Sequence, residues 1–233
     1  GNLMLQGKHQ EALAKMDELY RVARDDGERR TALFIRGVIL TDAGKPDAAV
    51  KEIEKEFAIA ESAGDSSNMS ADVQLIGDIL LDAGRTDQAA KRYRQSLDLV
   101  EKSSLSDEVK TDTRLAGRYN QARVALARGD LQTARTEAAA YLEGAKARQN
   151  SFRTRQAHEL AGTIALEEKK YDEAIAHFGE ANQQNPQVIY WTALAYKGKG
   201  DAAKAKEYGA KAATANLLPQ IAYAFIRKDA GKL

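Results

Sequence analysis

The 233-residue sequence contains no cysteine, which excludes disulfides and thiolate chemistry. Cytosolic and exported proteins alike can lack cysteine, so the compartment stays open. Proline occurs three times, at Pro46, Pro186 and Pro219, and each falls at an expected helix start, where a missing N–H costs nothing. No apolar run approaches the ~18 residues of a membrane span; stretches such as Val38-Ile39-Leu40 sit among charged residues. No dense basic stripe with interleaved aromatics occurs, which argues against nucleic acid as a partner. The three histidines, His9, His158 and His177, show no partner at metal-ligand spacing, so neither metal nor cofactor is expected. Gly198-Lys-Gly200 lacks both the preceding strand and the following Ser/Thr of a phosphate loop. Paired carboxylates such as Asp25-Asp26 and Glu167-Glu168 fall at helix ends or exposed faces and require no acid–base role. These absences leave no catalytic residue to name, and no enzyme activity is expected.

What is present is a phrase that returns. It reads Gly7-Lys-His-Gln-Glu-Ala12, Gly44-Lys-Pro-Asp-Ala-Ala49, Gly84-Arg-Thr-Asp-Gln-Ala89 and Gly129-Asp-Leu-Gln-Thr-Ala134, then Lys169-Lys-Tyr-Asp-Glu-Ala174 and Gly200-Asp-Ala-Ala-Lys-Ala205. The intervals of 37, 40, 45, 40 and 31 residues are those of a stacked helical array. Glycine at the end of an apolar-periodic segment closes a helix in the left-handed conformation. Asp130, Asp201 and Thr86 are placed to cap the helices that follow. First-type helices are expected near 28–43, 67–83, 107–128, 152–168 and 187–199. Second-type helices are expected near 9–25, 46–63, 86–103, 131–148, 171–184 and 202–215, and a last helix near 218–230. Residues 63–70 and 103–107 are the clearest loops. The chain opens on Gly1, and Asn2 to Gln6 resemble the last turns of a helix whose start is missing, so Gly1 is taken as a processing or cloning scar.

The phrase resembles the tetratricopeptide repeat, which pairs small and aromatic residues across two antiparallel helices. The clearest unit is 155–186, with His158, Ala161-Gly162, Ala165, Tyr171, Ala174, Phe178, Ala181 and Pro186. Gly37 and Gly77 occupy the place of Gly162 in their own repeats, and Ile53, Tyr93 and Phe178 fill the space beside such crossings. His158 matches a core position. In the fourth repeat Arg118 and Gln121 stand where apolar residues are expected, and Leu115, Tyr119, Ala122 and Leu126 make the better stripe. Lys169 replaces the closing glycine, a strain of roughly 1 kcal/mol if left-handed.

The resemblance implies an all-α fold: a right-handed superhelical array of antiparallel helix pairs with a C-terminal capping helix. One repeat domain spans 1–233, with repeats near 1–26, 28–64, 67–104, 107–149, 152–185 and 187–215 and a cap over 217–231. It further implies a non-enzymatic scaffold that holds a peptide or partner-protein segment on the concave face lined by first-type helices. On that face the pattern places Phe34, Ile35, Val38, Gln74, Leu75, Asp78, Asn120, Arg123, Glu159, Thr163, Tyr190, Trp191 and Leu194, with Tyr119 facing either groove or core. Asn120 and Arg123 would grip backbone or carboxylate, and Tyr190 and Trp191 would anchor. The carboxylate clamp of chaperone-binding relatives needs Lys, Asn and Arg on successive first helices. Phe34, Val38, Leu75 and Ala116 or Asn120 stand there instead, which favours an apolar or helical ligand.

Charge is uneven along the chain. Residues 1–110 hold 16 Lys+Arg against 21 Asp+Glu, and residues 111–233 hold 19 against 13. Self-association through oppositely charged ends, giving a structural homo-oligomer, is therefore one rival reading. A regulatory or sensor region of a longer protein is the other.

Overall fold

The structure, a computed structural model, describes residues 2–215 and 221–233. Every regular element among them is a helix. A short α1 (Asn2–Leu5) precedes α2 (His9–Val22). Consecutive pairs follow: α3 (Asp26–Asp42) with α4 (Pro46–Ser62), α5 (Ser66–Asp82) with α6 (Thr86–Glu101), α7 (Asp107–Ala127) with α8 (Leu131–Ala147), α9 (Ser151–Glu167) with α10 (Tyr171–Glu180), and α11 (Pro186–Lys199) with α12 (Ala202–Thr214). The last helix is α13 (Ala222–Ala230). Two compact units are distinguished, residues 2–114 with 221–224 and residues 115–215 with 225–233.

Local chemistry sets the boundaries. Gly44 takes φ +70, so the Lys45 N–H turns back to the Leu40 carbonyl at 2.8 Å and closes α3. Lys169 makes the same turn at φ 60 without the freedom of glycine, as its place in the repeat implies. Gln149 does so as well at φ 50, a position that nothing in its residue type announces. Asp130 and Asp201 accept from the Thr133 and Lys204 N–H groups, both at 3.0 Å, and so cap α8 and α12. Thr86 does not cap; it is the first residue of α6, and Arg85 holds the cap position without a side-chain bond. Asp65 accepts from Asn68 N–H at 2.9 Å, which starts α5 at Ser66 and shrinks the expected 63–70 loop to three residues. Asp25 similarly caps α3 through Glu28 N–H at 2.8 Å, so α2 stops at Val22. Pro46 and Pro186 open α4 and α11; Pro219, with the expected cap start at 217–218, lies outside the described residues.

Within each unit the helices run antiparallel and meet at glycines. In the first unit an added Cβ on Gly37 would lie 2.7 Å from Ile53, and one on Gly77 would lie 2.6 Å from the Tyr93 ring. In the second unit Gly162 meets the Phe178 ring at 2.5 Å. Each pair is sixteen residues apart, so one packing rule serves three hairpins. The α7–α8 hairpin inverts it: the large residue Leu115 sits on the first helix and Gly144 on the second, with an added Cβ 2.5 Å away. Leu115 and Ala122 are buried there, with Tyr119 and Leu126 packed against them, while Arg118 and Gln121 are exposed. At the end of the second unit Ile226 and Ala230 of α13 bury against Ala212 of α12, and Phe225 packs beside them. Lys228 and Asp229 face water. Removing this apolar area from water is what holds α13, at roughly 25 cal/mol per Å².

Candidate functional site

In the first unit the expected lining residues separate into two groups. Phe34, Ile35, Gln74 and Leu75 are half-buried and present part of their side chains to solvent. Val38 does not: it is 0% exposed, a core residue with no surface to offer, because it adjoins the Gly37–Ile53 crossing. Asp78 is half-buried and accepts a 2.8 Å hydrogen bond from the Tyr93 hydroxyl, which fixes the ring against Gly77.

Beneath this face lies an ionic cluster that sequence reasoning missed. Arg30 of α3 donates to both Asp72 oxygens of α5, at 2.8 and 2.9 Å, and to the Glu56 carbonyl of α4 at 2.7 Å. Its guanidinium is 3.3 Å from Glu56 Oε1. Burial, together with the nearby Asp72 charge, pushes the Glu56 carboxyl up to about 8. One guanidinium thus ties three helices together. The sequence signal was present but weak: Arg30, Glu56 and Asp72 stand at otherwise apolar-facing positions.

In the second unit Tyr119, Glu159 and Asn185 converge from α7, α9 and the start of α11. The Tyr119 hydroxyl donates to Glu159 Oε2 at 3.2 Å, and the Asn185 amide donates to Oε1 at 3.3 Å. Burial raises the Glu159 carboxyl above its usual range, opposed by those two hydrogen bonds and by the Arg123 charge. Arg123 lies over the Tyr119 ring, 5.6 Å from its centroid, and both residues remain half-buried. Asn120 is only 4% exposed and meets Arg123 at 3.4 Å, so it supports the arginine instead of facing a ligand. Asn185 doubles as the cap of α11, accepting from Gln187 N–H at 3.0 Å; the Asn-Pro pair was the signal that marks it.

The two expected aromatic anchors are half-buried, each with a partner inside the unit. Trp191 stacks on Phe178, ring centroids 6.1 Å apart, and Tyr190 packs with the Ala212–Ile226 cluster. Thr163 donates back to the Leu160 carbonyl at 2.9 Å on its own helix. His158 and His177, which the sequence presents as isolated, face one another across α9 and α10 with Nδ1 atoms 3.1 Å apart. A cavity of about 270 Å³ opens between α8, α9 and α10, floored by Ala138, Ala157 and Ala161 and rimmed by Glu168 with its partners Arg135 and Lys170.

The tetratricopeptide-repeat family model matches residues 3–66, 75–151 and 119–189, most of the chain. The chain belongs to the tetratricopeptide-repeat family. Among solved structures, this repeat protein is similar to a tetratricopeptide repeat protein from Parabacteroides merdae at TM-score 0.59 and 14% identity, covering 97% of this chain and 79% of that one. It is similar as well to BtubC from P. vanneervenii at TM-score 0.58 and 17% identity, covering 88% and 89%. Likenesses at that identity establish the fold alone. No curated protein matches the sequence.

Proposed function

We propose that this repeat protein is a non-enzymatic scaffold, and that it holds a peptide or partner-protein segment on the face presented by its first-type helices. One observation carries the reading. The Tyr119–Glu159–Asn185 cluster brings the first helices of consecutive pairs onto one face of the second unit. That cluster leaves Arg123 half-exposed over the Tyr119 ring, a cation and an aromatic surface held in fixed relation. A pre-ordered guanidinium of this kind grips a carboxylate or a backbone carbonyl at small entropic cost. Half-exposed Phe34, Ile35 and Leu75 give the first unit an apolar strip of its own for a ligand segment.

Capture from a peptide library tests the proposal, with the wild-type chain compared with Arg123→Ala and Gln74→Ala. Enrichment of a common peptide class by the wild type, weakened at least about tenfold by Arg123→Ala (~1.4 kcal/mol), is the expected result. Equal enrichment by all three proteins would remove Arg123 and Gln74 from the site. Trp191→Ala is the contrasting variant. Its stacking on Phe178 predicts lost stability, measured as a lower melting temperature, before any specific loss of binding.

A further inference from the structure

We propose that the Nδ1 atoms of His158 and His177 form a two-ligand site for one borderline divalent cation of the zinc and nickel class, clamping α9 to α10. The separation of the two nitrogens suits two cis ligands. The nitrogens are 3.1 Å apart and the rings are tilted by 42° with centroids 5.4 Å apart. An ion about 2.0–2.1 Å from each nitrogen would subtend about 95–102° at the metal, between the square-planar and tetrahedral angles. Both rings are half-exposed, so an ion reaches them from solvent without opening the core.

The hairpin holds that separation. One turn along α9 from His158, Gly162 packs against the buried ring of Phe178, the neighbour of His177, which holds the two helices at close approach there. Glu173, one turn earlier on α10, supplies negative charge beside the site. In the metal-free pair one Nδ1 carries the hydrogen that the other accepts. Moving that hydrogen to Nε2 of the same ring frees the second lone pair with no change in charge. Among the described residues no three His, Cys, Asp or Glu side chains group to hold a metal. Solvent therefore completes the coordination, and the ion exchanges freely.

Equilibrium dialysis of the full chain against Zn²⁺ and Ni²⁺ tests the site. The expected result is one saturable ion per chain and a raised melting temperature. His158→Gln and His177→Gln should each weaken binding at least about tenfold (~1.4 kcal/mol), while His9→Gln leaves it unchanged. Wild-type binding no tighter than that of the double variant overturns the proposal, as does binding lost only with His9→Gln. Should His158→Gln fail to fold by circular dichroism, ¹⁵N spectra of wild-type histidine rings decide. One equivalent of Zn²⁺ must move the Nδ1 signals of two histidines; movement of none, or of His9 alone, overturns it.

Discussion

Arg30 carries one positive charge between two carboxylates, and its geometry shows which of them it serves. Both guanidinium hydrogen bonds to a carboxylate go to Asp72 and a third goes to the Glu56 backbone carbonyl, so the Glu56 carboxyl is left with a 3.3 Å approach and a buried Oε2 that has no hydrogen-bond partner among the described residues. Glu56 therefore stays protonated in the fold up to about 8, against an ordinary value of 4.5. Because the folded value lies above the unfolded one, folding takes up a proton throughout that interval. The contribution from Glu56 is complete below 4.5 and is lost as pH rises through about 8. Glu56→Gln keeps the neutral shape at every pH. It is expected to match the wild type in mild acid and to exceed its stability by about 1–3 kcal/mol in mild alkali. Urea unfolding midpoints across that range check the prediction. A variant less stable than wild type at alkaline pH would mean that the carboxylate is ionised and paired in the fold.

At the scale of the helix pair, the α9–α10 hairpin supplies a controlled comparison between two glycines. Gly162 sits in mid-helix with the Phe178 ring where a Cβ would go, whereas Gly179 is also helical and has nothing within 4 Å. Gly162→Ala gains helix propensity but must displace a ring that is 0% exposed, so a net loss of about 1–2 kcal/mol is expected. Gly179→Ala gains up to about 1 kcal/mol with no opposing contact. Thermal unfolding of the two variants should move in opposite directions, and a shared sign would break the account. Lys169 gives a third test on the same hairpin. Its φ of 60 is an L-residue strain that Lys169→Gly relieves, so that variant should be neutral or more stable by up to about 1 kcal/mol. The sequence disclosed these elements well because the period of the phrase marks the turn inside each hairpin and the sixteen-residue offset marks three of the crossings. It disclosed the candidate site poorly, for a physical reason. Helical spacing says that Val38 and Trp191 lie on a first helix but not how deeply, and depth depends on what packs opposite. Val38 adjoins the Gly37–Ile53 crossing and is fully buried, while Trp191 covers Phe178 and is half-buried. The meeting of His158 with His177 was legible in principle, since residues nineteen apart across that turn face each other, but spacing rules for ligands on one helix do not see it.

At the scale of the whole molecule, the uneven charge of the sequence bears on self-association. Residues 1–110 keep their acidic excess, but many of their carboxylates have arginine partners within that segment. Arg36 meets Asp17 and Glu52, Arg85 meets Asp47, and Arg92 meets Glu54. The exposed pairs among them, Arg85–Asp47 and Arg92–Glu54, add little stability, about 0–1 kcal/mol each, yet each places opposite charges side by side and so shortens the reach of their field. A segment paired in this way attracts a second copy weakly. The protein is therefore expected to scatter light as a 25.5-kDa particle at low salt and at high salt alike. The informative range runs from about 0.01 M salt, where charges act over roughly 30 Å, to about 1 M, where they act over about 3 Å. A mass that doubles or grows at the low end and falls back at the high end would favour the self-associating array over the scaffold. A constant mass is the result expected of a scaffold that meets a different chain through the half-exposed Tyr119–Arg123 pair and the Phe34–Leu75 strip.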